Sequence, residues 1–115
     1  MDRPTIRQGD VILVPIEKIP ASKTIDRENG RIVLAHGEVT GHAHAIVDER
    51  AELLAPDGSA FVTVDEAAEL YLLVHGTDPV ELVHEEHAVI AVEPGAYRVQ
   101  RMREYAPEAP RRLAD

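Results

Sequence analysis

The stretch VELVHEEHAVIAV, Val80–Val92, decides how the chain is read. The alternation Val80, Leu82, His84 is that of a half-buried strand, and a second apolar run follows the pair Glu85-Glu86. Residues three apart face opposite sides of one strand, so His84 and His87 share a face only if the chain reverses between them. A two-residue loop at Glu85-Glu86 makes His84 and His87 direct cross-strand neighbours, with His87, Val89 and Ala91 on one face of the outgoing strand. Glu-Glu lacks the positive φ that tight hairpin turns demand, so a bulge or one continuous bent strand competes with the hairpin. In the continuous strand only one of the two histidines faces a common site.

Outward from this hairpin, short apolar or alternating runs recur at Val11–Ile16, Arg31–His36, Ala43–Val47, Phe61–Val64, Glu69–Val74 and Tyr97–Glu104. Asn29-Gly30, Pro56-Asp57-Gly58, Thr77-Asp78-Pro79 and Pro94-Gly95 punctuate them as turns. The pattern predicts an all-β fold, a small single-domain barrel or sandwich with at most one short helix. The helical alternatives are Asp48–Ala55 and Asp65–Leu73, both rich in Glu, Ala and Leu. Pro15 removes a ladder donor, which predicts that the Val11–Ile16 strand lies at an edge or ends there. Glu17–Gly30 is the longest stretch without a strand pattern and reads as a surface loop or flap. Residues 1–105 are expected to form the β domain and 106–115 a C-terminal tail carrying Arg111 and Arg112.

Composition narrows the function. Twelve Lys and Arg against 21 Asp and Glu give a net charge of −9, which repels phosphate backbones and anionic lipid. No nucleic acid or membrane partner is expected, and the longest apolar runs fall far short of the roughly 20 residues a spanning helix needs. The acidic, proline-containing start does not resemble a signal peptide, so a cytoplasmic protein is expected. Without cysteine, thiolate chemistry and cysteine zinc sites are excluded, and any metal must be held by nitrogen and oxygen.

All six histidines fall in Leu34–Val47 and Leu73–Val92. In a strand, His42 and His44 point to the same face about 7 Å apart at Cα, a separation one ion can bridge. His42, His44, His84 and His87 are therefore the candidate metal ligands. His36 and His75 each precede a glycine at the end of an apolar run, where a supporting or structural role is expected. Glu38, Glu49, Glu85 and Glu86 are the carboxylates able to complete a sphere. Two histidines with one carboxylate suit iron or manganese, and three or four histidines suit zinc, copper or nickel.

Gly37, His42-Ala43-His44 and Glu49 resemble the first motif of the cupins, although Gly58 comes late and Arg98 stands where the second motif has histidine. This resemblance implies a small β-barrel with His42, His44 and Glu49 as ligands. The segments GDVILVP, HGEVTGHAHAI, HEEHAVIAVEPGAYRV and REYAPE resemble a family of small uncharacterised bacterial and phage proteins across almost the whole chain. That likeness implies no substrate. The opening strand, polar loop and GRIVLAHGEV are more weakly similar to co-chaperonin-like barrels.

These observations predict a metal-binding β protein in which a divalent ion (Zn, Fe, Mn or Ni) activates water or dioxygen on a small-molecule substrate. Glu38 or Glu49 is expected to ligate or shuttle a proton, and Tyr97 or Arg98 to orient the substrate. The competing expectation is a non-enzymatic β module, oligomeric or partner-binding, whose histidines are structural or close around a structural ion. A pH sensor is a third reading of six clustered histidines.

Overall fold

Alternating burial generates most of the architecture. In the strand Ala51–Pro56 the odd residues Ala51, Leu53 and Ala55 are buried and Glu52, Leu54 and Pro56 are only partly covered. The structure, a computed structural model, describes residues 3–37, 39, 41–61 and 63–102. Its strands are β1 (Ile6–Gln8), β2 (Val11–Ile16), β3 (Ser22–Thr24), β4 (Ile32–His36), β5 (Ala43–Ile46), β6 (Ala51–Pro56), β7 (Leu70–Val74), β8 (Val80–His84), β9 (His87–Val92) and β10 (Gly95–Arg101). They form two antiparallel sheets, one of six strands in the order β1-β2-β10-β7-β6-β3 and one of four in the order β4-β5-β8-β9. The all-β expectation holds, and one 3-10 turn at Val64–Glu66 is the only helical element among the described residues.

Both sheets contribute to one apolar core that includes Leu13, Leu34, Ile46, Leu53, Leu72, Leu82, Val92 and Tyr97. β1 lies against β9, edge strand to edge strand, and β4, the other edge of the four-stranded sheet, packs against β6. Ile32, Val33, Leu34 and Ala35 are all buried, and the 3-10 turn packs against β4. No helix among the described residues is long and apolar enough to cross a membrane.

Several local expectations are corrected. Asp48–Ala55 is not a helix: Asp48 to Ala51 forms a turn that leads into β6. Asp65–Leu73 divides into the 3-10 turn and β7, because Leu70, Leu72 and Val74 gain burial only in an extended chain. Where a strand is expected at Phe61–Val64, the described residues Phe61, Thr63 and Val64 are not in one. β2 lies between β1 and β10, not at an edge. Even so, β1 ends opposite Leu13, so Pro15 sits beyond the stretch where a ladder donor is needed on that side. Glu17–Gly30 contains β3, which pairs with the end of β6, and closes through an Asn29-Gly30 turn bridged by Glu28 and Arg31. The tail at 106–115 lies outside the described residues.

Candidate metal-binding cleft

The β8–β9 hairpin is formed, with His84 opposite His87 and Glu85-Glu86 as the turn. Among the described non-glycine residues only Asn29 has positive φ, so the turn is not of the primed type. The misfit is absorbed nearby. Val80 pairs with Val92, Glu81 with Ala91 and Leu82 with Ile90, and the register then shifts by one before His84 meets His87. Ile90 and His87 are an odd number of residues apart and would face opposite sides of an ideal strand. The bulge consumes the odd step, so Ile90 and Val92 turn to the core while His87 faces the same side as His84. The expected grouping of His87 with Val89 and Ala91 is thereby corrected, and Val89 is exposed.

β5 runs beside β8, with Ala45 opposite Val83, and brings His42 and His44 to the hairpin. The ring centroids of His44 and His84 are 4.3 Å apart, those of His84 and His87 4.7 Å, those of His44 and His87 5.7 Å and those of His42 and His84 6.0 Å. All four predicted ligands thus line one open cleft of about 640 Å³, with Arg7, Gly9, Asp10, His36, Gly37, Val39, Asp65, Glu86 and Met102. Gly9 makes room for the rings: a Cβ there would stand 2.8 Å from His87 Nε2 and 3.1 Å from His44 Cε1.

Hydrogen bonds assign the imidazole protons. Gln8 is 2% exposed, and its Nε2 donates to the carbonyls of Leu82 and Ala88, both at 3.0 Å. Its Oε1 must therefore accept from His44 Nδ1 at 2.8 Å, leaving the Nε2 lone pair of neutral His44 aimed 3.2 Å from Asp10 Oδ1. Burial, together with the neighbouring His84 and His87, lowers the His44 pKa against the opposing pull of Asp10, so the ring is neutral near pH 7. His42 Nδ1 donates to Glu86 Oε2 at 2.8 Å, which also leaves its Nε2 lone pair free. His84 differs, because its Nδ1 accepts the Glu86 backbone N–H at 3.0 Å and its proton is then on Nε2. Glu85 Oε1 accepts from the Ala43 N–H at 3.0 Å, the leading cause of its lowered pKa. The two turn glutamates thus tie the hairpin to β5.

His36 closes one side of the cleft. Its Nδ1 is 2.7 Å from Asp65 Oδ2 and its Nε2 3.0 Å from Glu28 Oε1, so both ring nitrogens donate when it is charged. Burial alone would lower its pKa, but the hydrogen bonds and charges of Asp65 and Glu28 outweigh that and raise it. His75 stands apart and pairs with Glu52.

Three residues expected to act are placed elsewhere. Glu49 is exposed in the turn before β6 and does not line the cleft, so the carboxylate of the cupin-like pattern is not beside His42 and His44. Tyr97 is fully buried, donates to the Glu93 carbonyl at 2.7 Å and carries the Arg3 guanidinium over its ring. Arg98 is exposed on β10, away from the histidines. Glu38 lies outside the described residues. Sequence reasoning missed Gln8 and Asp10, whose only signal is the turn-forming Gly9-Asp10 before VILVP.

Residues 7–102 match the family described as a domain of unknown function, DUF8820. The chain belongs to this family. The DUF8820 match begins at Arg7 and ends at Met102, the first and last residues of the cleft lining, and so takes in the whole of that lining. No curated protein and no solved structure matches the chain.

Proposed function

We propose that the cleft binds one divalent transition-metal ion through His44 Nε2 and the Asp10 carboxylate, with His87 and His42 completing the sphere and His84 offering Nε2–H to a bound water or substrate. The observation that carries this reading is the pair His44 Nε2 and Asp10 Oδ1, two acceptors 3.2 Å apart with the only ring proton of His44 committed to Gln8. Two lone pairs at that distance repel unless a proton or cation lies between them, and the lowered pKa of His44 disfavours the proton. Ligands about 2.0–2.1 Å from an ion at tetrahedral to octahedral angles are roughly 3.0–3.4 Å apart, which matches. The partners of His42 and His44 through Nδ1, a carboxylate and an amide oxygen, are of the kind that orient metal-binding imidazoles. On this reading zinc, iron, manganese or nickel would activate water or dioxygen at the face open to the cleft.

As the side chains stand, no three His, Asp or Glu groups among the described residues converge on one point, so the exposed His87 must rotate to complete the site. The same observation favours a second reading, a non-enzymatic β module, oligomeric or partner-binding, whose histidines are held by protein groups alone. Metal analysis of untagged protein, with zinc titration calorimetry, separates the two. About one ion per chain, lost in Asp10→Asn and His44→Ala, is expected; sub-stoichiometric metal unchanged in both variants supports the module. Cobalt(II) absorption then reports whether the sphere is closed or keeps an open position.

A further inference from the structure

The cleft pairs its acids and leaves a base over. Asp10 faces His44, Asp65 faces His36 and Glu86 faces His42. Arg7 is different: its Nε donates to the Gly9 carbonyl at 3.0 Å, which fixes the plane of the guanidinium, while neither Nη has a protein partner among the described residues. Two apolar side chains share the lining with it, Val39 at 51% and Met102 at 52% exposure. A guanidinium held by its Nε and open at its Nη atoms is a fork suited to an anionic oxygen pair.

We propose that Arg7 anchors the substrate of this cleft and that the substrate is a small organic carboxylate with a short apolar body. The inference rests on the metal reading above for its second attachment point. A carboxylate is favoured over phosphate because one guanidinium neutralises one charge, and the three acids of the cleft with the net charge of −9 repel a dianion. Val39 and Met102 supply apolar surface that a bare inorganic anion would leave unused.

Zinc-loaded protein titrated with butyrate, butylammonium and inorganic phosphate, followed by amide chemical shifts, tests this. Butyrate is expected to saturate shifts at Gly9, Val39 and Met102 with millimolar affinity, and butylammonium and phosphate to bind at least about tenfold more weakly. Arg7→Ala should weaken butyrate about tenfold and Arg7→Lys less, with zinc stoichiometry unchanged in both. Zinc uptake with butyrate affinity unaltered in Arg7→Ala, or tighter binding of phosphate or butylammonium, overturns the carboxylate proposal and leaves the metal reading standing. Failure to take up zinc removes both.

Discussion

Gln8 Oε1 and His44 Nδ1 lie 2.8 Å apart, and this hydrogen bond links the first strand to the histidine cleft across 36 residues of sequence. The amide has no freedom to flip, because its Nε2 is shared between two backbone carbonyls of the β8–β9 hairpin. Gln8→Leu is expected to leave His44 Nδ1–H without its acceptor and those carbonyls without their donor in a buried place, costing about 2–4 kcal/mol by denaturant unfolding. If the ion binds as proposed, its affinity should fall about 10- to 100-fold in Gln8→Ala, as for other partners of metal-binding histidines. Unchanged unfolding midpoints would count against the assignment of the His44 tautomer.

Gly9→Ala tests how closely the turn approaches the rings. Gly9 has φ +59°, and a Cβ would meet His87 Nε2 at 2.8 Å. The backbone strain is expected to cost about 1–2 kcal/mol. His87 is exposed and can swing away, so the steric part is small but the ring must leave its position. A shifted His87 ring resonance with near-native His75 is the expected NMR result.

Histidine titration gives the pH dependence of metal-free protein. The His36 pKa is raised by Asp65 and Glu28 despite burial, so its stabilisation is complete below the unfolded value of about 6.5 and is lost as pH rises through the folded value. His44 has the opposite sign. Its lowered pKa means the unfolded chain takes up a proton that the folded ring refuses, so stability falls as pH drops below about 6.5. His36→Gln should therefore remove the alkaline loss of melting temperature and leave the acid loss, measured by thermal melts in chelator. His36 is more than a third exposed, so solvent screening keeps the effect modest.

How far the sequence reaches is visible in these residues. Short apolar or alternating runs locate β2, β4, β5, β7, β8, β9 and β10: β2, β8 and the middle of β10 bury every second residue, while β4 and β5 are buried at nearly every position and read as continuous apolar runs. β1 and β3, with three residues each, are too short to show a period, and the Ala51–Pro56 strand is spelled in helix-favouring Ala, Leu and Glu that tertiary burial overrides. His42, His44, His84 and His87 were legible as a group because strand and hairpin geometry brings them together. Asp10 and Gln8 were not, since they reach the cleft through the contact of β1 with β9, which no local pattern encodes. Motif spacing alone points to Glu49, and the turn before β6 carries it away from the cleft.

The Glu85-Glu86 turn sets local turn chemistry against core pattern. Replacing the pair with Asn-Gly supplies a type I′ turn, which favours a straight ladder in which Leu82 would face Val89 instead of Ile90. That register would expose Val92, now fully buried, and Ile90, which packs on the core. Each such side chain is worth about 1.5–3 kcal/mol of burial, more than a turn preference on the order of 1 kcal/mol. The bulge should therefore persist, read by NMR contacts between Leu82 and Ile90. What the substitution removes is the tether of Glu85 to Ala43 and of Glu86 to His42, so the expected loss is of order at His42, seen as a ring resonance that broadens or moves to its exposed value. Loss of the Leu82 to Ile90 contact in favour of Leu82 to Val89 would show that the turn, not the core, fixes where His87 points.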